Sequence, residues 1–197
     1  MKGIEGIAES ALVLYLVKVA VQGLLSWIKK RKDKKPFKKA FVDIAKVYQE
    51  LNDLMAVTGA GRILLLRSHN GGGKPKLGKP LYSTAEYEVC SNGSRSIKKD
   101  WVGESLDEHY IKMLLKVMTE GEVTLKLGEL GDTLLGRIYF NSHVLSSRVF
   151  RIHEDEKSFY YLSVNFNDPK DIDDPNFKEI CRPYVTRLRK LFNDQRE

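Results

Sequence analysis

The sequence predicts an α/β protein of the α+β kind, an antiparallel sheet flanked by terminal helices and preceded by an N-terminal membrane helix. Three observations carry this. Residues Phe37–Thr58 place apolar side chains at helical spacing and stop at Gly59. A short apolar run, Ile63–Leu66, follows at once and breaks in His69-Asn70-Gly71-Gly72-Gly73, and the segments beyond it are mostly strand-like. Ahead of both lies Ile7–Ile28, apolar almost throughout, with a basic block directly after it.

The chain has 197 residues, enough for one sizeable core and an appendage. Its apolar, aromatic and charged fractions are those of a folded protein. The formal net charge is +7. Residues 29–39, KKRKDKKPFKK, hold eight Lys or Arg and one Asp, so this block alone carries +7 and the rest sums to zero. The basicity is local, which argues against a nucleic-acid-binding surface on the folded part. Two cysteines, Cys90 and Cys181, are too few and too far apart for a disulfide scaffold and read as reduced thiols.

Ile7–Ile28 is 22 residues long, and roughly 20 apolar residues span a bilayer core. Lys18 falls mid-span and Trp27 where an interfacial aromatic belongs. Lys29, Lys30, Arg31 and Lys32 open the basic block, and positive charge stays on the cytoplasmic side. The expectation is a single-pass membrane protein with its C-terminal domain cytoplasmic and lipid as a partner. Basic charge after the apolar run, not before it, argues against a secretory signal. Lys18, Gln22, Ser26 and Lys29 form one polar stripe. That stripe leaves open a helix lying on the membrane surface, or homo-oligomer contact through the N-terminal helix. The domain expectation is therefore residues 1–28 as membrane helix, 29–39 as juxtamembrane linker and 40–197 as the folded domain.

From Phe37 the apolar positions are Phe37, Ala40, Phe41, Ile44, Val47, Tyr48, Leu51, Leu54 and Met55, a helical stripe. Arg62–Ser68 reads as a strand buried on both faces. Three glycines let His69–Gly73 take unusual backbone angles. Lys74–Pro80 is basic, proline-broken and expected to be exposed. Ser83–Cys90 is a second strand, with Asn92-Gly93 a turn and Trp101-Val102 the start of another strand. Ser105–Met118 is helical, Glu122–Leu127 a strand, Gly128–Gly131 a turn and Leu134–Asn141 a further strand. Ser147–His153 and Ser158–Asn165 make a hairpin. Asp174 caps a last helix with Pro175 in its first turn, running to about Asn193. Its apolar face is Phe177, Ile180, Cys181, Tyr184, Val185, Leu188 and Leu191, with a kink expected at Pro183.

This order of elements, with RILLLRSHNGGG as first strand and turn, resembles a GAF domain over Phe37–Asn193. The resemblance implies an antiparallel sheet with the terminal helices on one face and a ligand pocket on the other. It also implies a sensing or regulatory role. The same stretch also resembles small membrane-anchored GAF-like proteins of bacteriophages. The polar signature of cyclic-nucleotide GAF domains is missing. Cys90 and Cys181 match neither the methionine sulfoxide reductase GAF enzymes nor a bilin-attachment context.

Gly73-Lys-Pro-Lys-Leu-Gly78-Lys79-Pro80 comes near the phosphate-loop pattern. It fails because Pro80 stands where a hydroxyl should bind magnesium and because a strand, not a helix, follows. Arg67, His69 and Asn70 end the first strand beside glycine-opened backbone and are the expected contacts for a small anionic or polar ligand, with Cys90 as a further contact. His109, His143 and His153 lack metal-ligand spacing, and Asp168, Asp171, Asp173 and Asp174 lack the closing Glu of a calcium loop. No catalytic residue and no metal ligand is expected. The functional expectation is a non-catalytic sensor or regulator that binds a small molecule or a protein partner. The rivals are a ligand-free oligomerising scaffold and a thiol- or His-based enzyme.

Overall fold

A computed structural model describes Gln22 and residues 36–101, 105–170 and 172–194. The expected membrane helix and basic linker, including Lys18, Trp27, Lys29, Lys30, Arg31 and Lys32, lie outside the described residues. Among the described residues no helix is long and apolar enough to cross a membrane. The chain divides into two compact units, residues 1–45 and 46–197.

Helix α1 is Pro36–Thr58. The Thr58 hydroxyl donates back to the Leu54 carbonyl at 2.7 Å, and Gly59, at φ 66°, ends the helix in the left-handed conformation that glycine takes without strain. Only part of the expected stripe is buried. Val47, Leu51 and Leu54 lie under cover, whereas Phe37, Ala40, Phe41 and Ile44 are exposed.

Strands β1 (Arg62–His69) and β2 (Tyr82–Cys90) are followed by a 3-10 turn, Lys98–Trp101. Trp101 thus ends a helical turn and does not start a strand; Val102 lies outside the described residues. Helix α2 is Glu108–Glu120. Asp107 caps it, accepting from Tyr110 N at 2.8 Å through one oxygen and from Leu134 N at 2.7 Å through the other. β3 (Glu122–Lys126) leads into a short helix α3 (Leu127–Leu130), where a plain turn was expected. Leu134–Asn141 is helix α4, not a strand. Thr133 caps it by accepting from Gly136 N at 3.1 Å, and Leu134, Leu135, Ile138 and Tyr139 then share one buried face. β4 (Ser146–Glu154) and β5 (Ser158–Phe166) form the expected hairpin. Helix α5 (Pro175–Asn193) starts at the Asp174 cap and continues through Pro183. Ile180, expected on its apolar face, is 44% exposed.

The strands make one antiparallel sheet in the order β2-β1-β5-β4-β3. β1 is an interior strand, between β2 and β5, as its continuous apolar run requires. Alternate side chains point to opposite faces. Ile63, Leu65, Val89, Phe150, Ile152, Leu162 and Val164 meet the terminal helices through Val47, Leu51, Leu54, Phe177, Cys181, Val185 and Leu188. Leu64, Leu66, Ala85, Val149, Phe159 and Tyr161 face the other way, onto Trp101, α2 and α4. The sheet therefore divides two apolar layers: terminal helices on one side, and α2, α4 and the 3-10 turn on the other.

Candidate functional site

The face covered by α2 and α4 is where the resemblance places a ligand. Aromatic side chains fill it. Tyr110 comes from α2, Tyr139 from α4, Tyr161 from the middle of β5 and Trp101 from the 3-10 turn, and all four are buried. Trp101 meets Tyr110 edge-on at 5.8 Å, and Tyr161 stacks with Phe159 at 5.8 Å. The Tyr110 and Tyr161 hydroxyls are hydrogen-bonded at 2.6 Å. Tyr161 also bonds Ser83, and Tyr139 bonds Ser147. Burial pushes Tyr139 and Tyr161 up to about 12 and raises Tyr110 well above its ordinary value, so all three stay neutral hydroxyls at physiological pH. The Trp101 Nε1–H has no partner among the described residues.

The void left between these side chains is about 10 Å³, with Trp101, Tyr110, Leu125, Tyr139, Tyr161 and Ser163 on its walls. That is room for about one water, whereas small-molecule pockets run to roughly 300–1,000 Å³. At the rim of the same face lie two grooves of about 160 Å³ each: an apolar one between Leu114 and Met118 of α2, Phe159 of β5, and Pro75 and Leu81 of the β1–β2 connection, and one between Tyr110 and Met113 of α2, Leu125, Leu130 of α3 and Leu135 of α4.

The structure brings three of the four expected ligand contacts together and separates the fourth. Arg67 pairs with Glu86 at 2.5 Å. His69 Nδ1 accepts from Gly71 N at 3.0 Å, so Nε2 carries the proton and donates to the Thr84 hydroxyl at 2.9 Å. Burial lowers the His69 pKa; the Arg67 cation lowers it further, and Glu86 opposes both. The ring is neutral at pH 7. Asn70 Nδ2 donates to the Lys74 carbonyl at 2.6 Å, which folds the loop on itself. Gly71 and Gly72 take the left-handed angles the glycine run promised, at φ 85° and 119°. By strand alternation Arg67 and His69 share the face of Ile63 and Leu65, opposite the aromatic-filled one. Cys90 pairs with Arg62 at the far end of β1, while His69 pairs with Tyr82; the seven intervening steps span roughly 23 Å.

Cys90 has its thiol pushed up, by burial and then by Glu88, with Arg62 opposing. Cys181 is buried in α5 and pushed up to about 12 by desolvation. Neither environment favours a thiolate. Lys74–Pro80, the near phosphate-loop stretch, is exposed throughout and leads into β2.

Two constellations carry no sequence signal. Arg62 is fully buried at the start of β1, donates to the Arg95 carbonyl at 2.7 and 3.1 Å, and lies 3.5 Å from Glu88. Glu88 in turn accepts from Ser96 Oγ, Ile97 N and Lys98 N. The four-aromatic cluster was equally hidden, since its members are spread from Trp101 to Tyr161.

No protein-family description matches the chain, and no curated protein matches it. Solved structures do. A far-red cyanobacteriochrome photoreceptor aligns at a TM-score of 0.58 and 13% identity, covering 86% of this chain and 98% of that one. A phycoerythrobilin-bound GAF domain from a cyanobacterial phytochrome aligns at 0.51 and 13%, covering 76% and 90%. The GAF domain of a two-component sensor histidine kinase from Bacillus halodurans aligns at 0.50 and 15%, covering 76% and 93%. At such identities the likeness is one of fold. The chain has a GAF-like fold, a class in which some solved members hold small molecules. These neighbours bear on neither the expected membrane anchor nor the resemblance to bacteriophage proteins.

Proposed function

We propose that the chain is a membrane-tethered, non-catalytic regulator whose GAF-like domain works by engaging a protein partner or a small ligand, and holds no resident chromophore. The observation behind this is the filled face. A void that admits about one water does not admit a phycoerythrobilin of the kind one structural neighbour carries. Opening it means displacing Trp101, Tyr110, Tyr139 or Tyr161, whose hydroxyl network and stacking hold the core shut. The raised thiol pKa values of Cys90 and Cys181 favour binding over thiol chemistry.

The tether rests on the sequence of residues 7–39. Each Lys or Arg of the basic block adds roughly 1 kcal/mol beside anionic lipid, on top of the apolar segment. Full-length protein is expected to sediment with membranes and to resist extraction by high salt, and a chain starting at Pro36 to be released. Full-length protein in the soluble fraction of a lysate overturns the tether.

A further inference from the structure

On the face of the sheet that carries the terminal helices, α5 and the β3 edge enclose a cleft of about 470 Å³. Its floor is apolar, made by Phe150 and Val185. One wall is a row on α5: Lys178, Arg182 and Arg189 share the helix face of Val185, at successive spacings of four, three and four residues. The other wall is the corner between α2 and β3, Glu120, Gly121 and Glu122.

Both carboxylates in this cleft are already engaged. Glu122 is held by Arg148 at 3.1 Å, from within the fold, and by Lys178 at 2.6 Å. Burial works against its charge, but those two cations outweigh burial and keep its pKa below the ordinary value. Glu120 lies 3.9 Å from Lys116 on the outer surface of α2. The arginines are less well matched. Arg182 pairs with Glu179 at 3.3 Å, and both side chains are largely exposed. Arg189 donates Nε and Nη2 to the Arg151 carbonyl at 3.0 and 2.8 Å, which fixes its guanidinium plane without neutralising it. Burial and then the like charge of Arg151 both lower the Arg189 pKa, with Glu122 opposing. The region holds cationic charge that an incoming anion relieves.

We propose that this cleft binds a phosphate-bearing ligand, its phosphoryl oxygens between the Arg182 and Arg189 guanidinium groups with Lys178 beside them. A planar guanidinium presents paired N–H donors that match phosphate geometry, and the volume suits a small phosphate ester or a lipid headgroup. The site lies on the opposite side of the sheet from the aromatic-filled face. It goes beyond the regulator reading and stands or falls independently of the tether.

The test is isothermal titration of the full-length chain in non-ionic detergent micelles with two probes, inorganic pyrophosphate and dihexanoyl phosphatidic acid. Saturable binding is expected, weakened about tenfold or more in Arg182→Gln and in Arg189→Gln, as the loss of a charge-assisted hydrogen bond requires. Arg137→Gln, on α4 and paired with the exposed Asp132, is expected to bind like the parent. Arg182 is exposed, so its variant folds even if loss of the Arg189–Arg151 contact does not permit folding of the other. Tighter binding of the lipid probe marks a headgroup as the source, and tighter binding of pyrophosphate marks a soluble phosphate. No saturable binding of either probe at millimolar concentration, or equal binding by Arg182→Gln, overturns the proposal.

Discussion

Tyr161→Ala is expected to destabilise the domain by roughly 3–5 kcal/mol, the usual cost of removing a buried aromatic ring. Tyr161 is 1% exposed at the centre of the sheet, stacks on Phe159, and joins Tyr110 to Ser83 through its hydroxyl. The alanine variant loses the ring's packing, leaves a cavity and strands two hydroxyls away from water. Tyr161→Phe keeps the ring and removes only the bridging oxygen, so it is expected to cost about 1–3 kcal/mol, the penalty for unpaired buried partners. Urea denaturation of both variants, read by tryptophan fluorescence, measures the difference. Equal stability of Tyr161→Ala and the parent means that the face is not packed as described.

Arg62→Ala is the second large effect, also roughly 3–5 kcal/mol, because breaking a buried ion pair from one side leaves the other charge uncompensated. Arg62 is fully buried, and Glu88, its carboxylate partner, is 6% exposed. Removing the guanidinium also takes both donors from the Arg95 carbonyl. The 91–101 segment that carries Trp101 is fastened to β2 by Glu88 through Ser96, Ile97 and Lys98. The loss therefore propagates to the cover of the aromatic face. The expected signature is a lower denaturation midpoint together with a changed Trp101 emission, whereas a purely local defect leaves the emission of the folded protein unchanged.

The elements that sequence made legible are those whose signal is local. The stripe from Phe37 and the stop at Gly59 gave α1, the run Ile63–Leu66 gave an interior strand, and Asp174-Pro175 gave the start of α5. Leu134–Asn141 reads as a strand in sequence because Ile138, Tyr139 and Phe140 are strand-like over eight residues, whereas the cap at Thr133 makes it a helix. The exposed half of the α1 stripe was equally invisible, since spacing reports a face and not what covers it. For the site, the glycine-opened turn after His69 is legible in the sequence, with His69 itself closing β1, but which sheet face Arg67 and His69 take depends on the parity of β1 relative to a core not yet known. The filling of the opposite face is a matter of volumes contributed by Trp101, Tyr110, Tyr139 and Tyr161, four side chains brought together only by the fold.

Between the sheet and helices α2 and α4 the interior is filled by Trp101, Tyr110, Tyr139 and Tyr161, leaving a void of about 10 Å³. Native mass spectrometry of the full-length chain, gently purified from its cells and released from detergent in the gas phase, tests this filling most directly. Running the Arg182→Gln variant alongside removes any contribution from the α5 cleft. The expected result for that variant is the mass of the bare polypeptide. A reproducible organic adduct that the variant retains, and that Tyr161→Phe alters, would place a ligand among the aromatic side chains and contradict it.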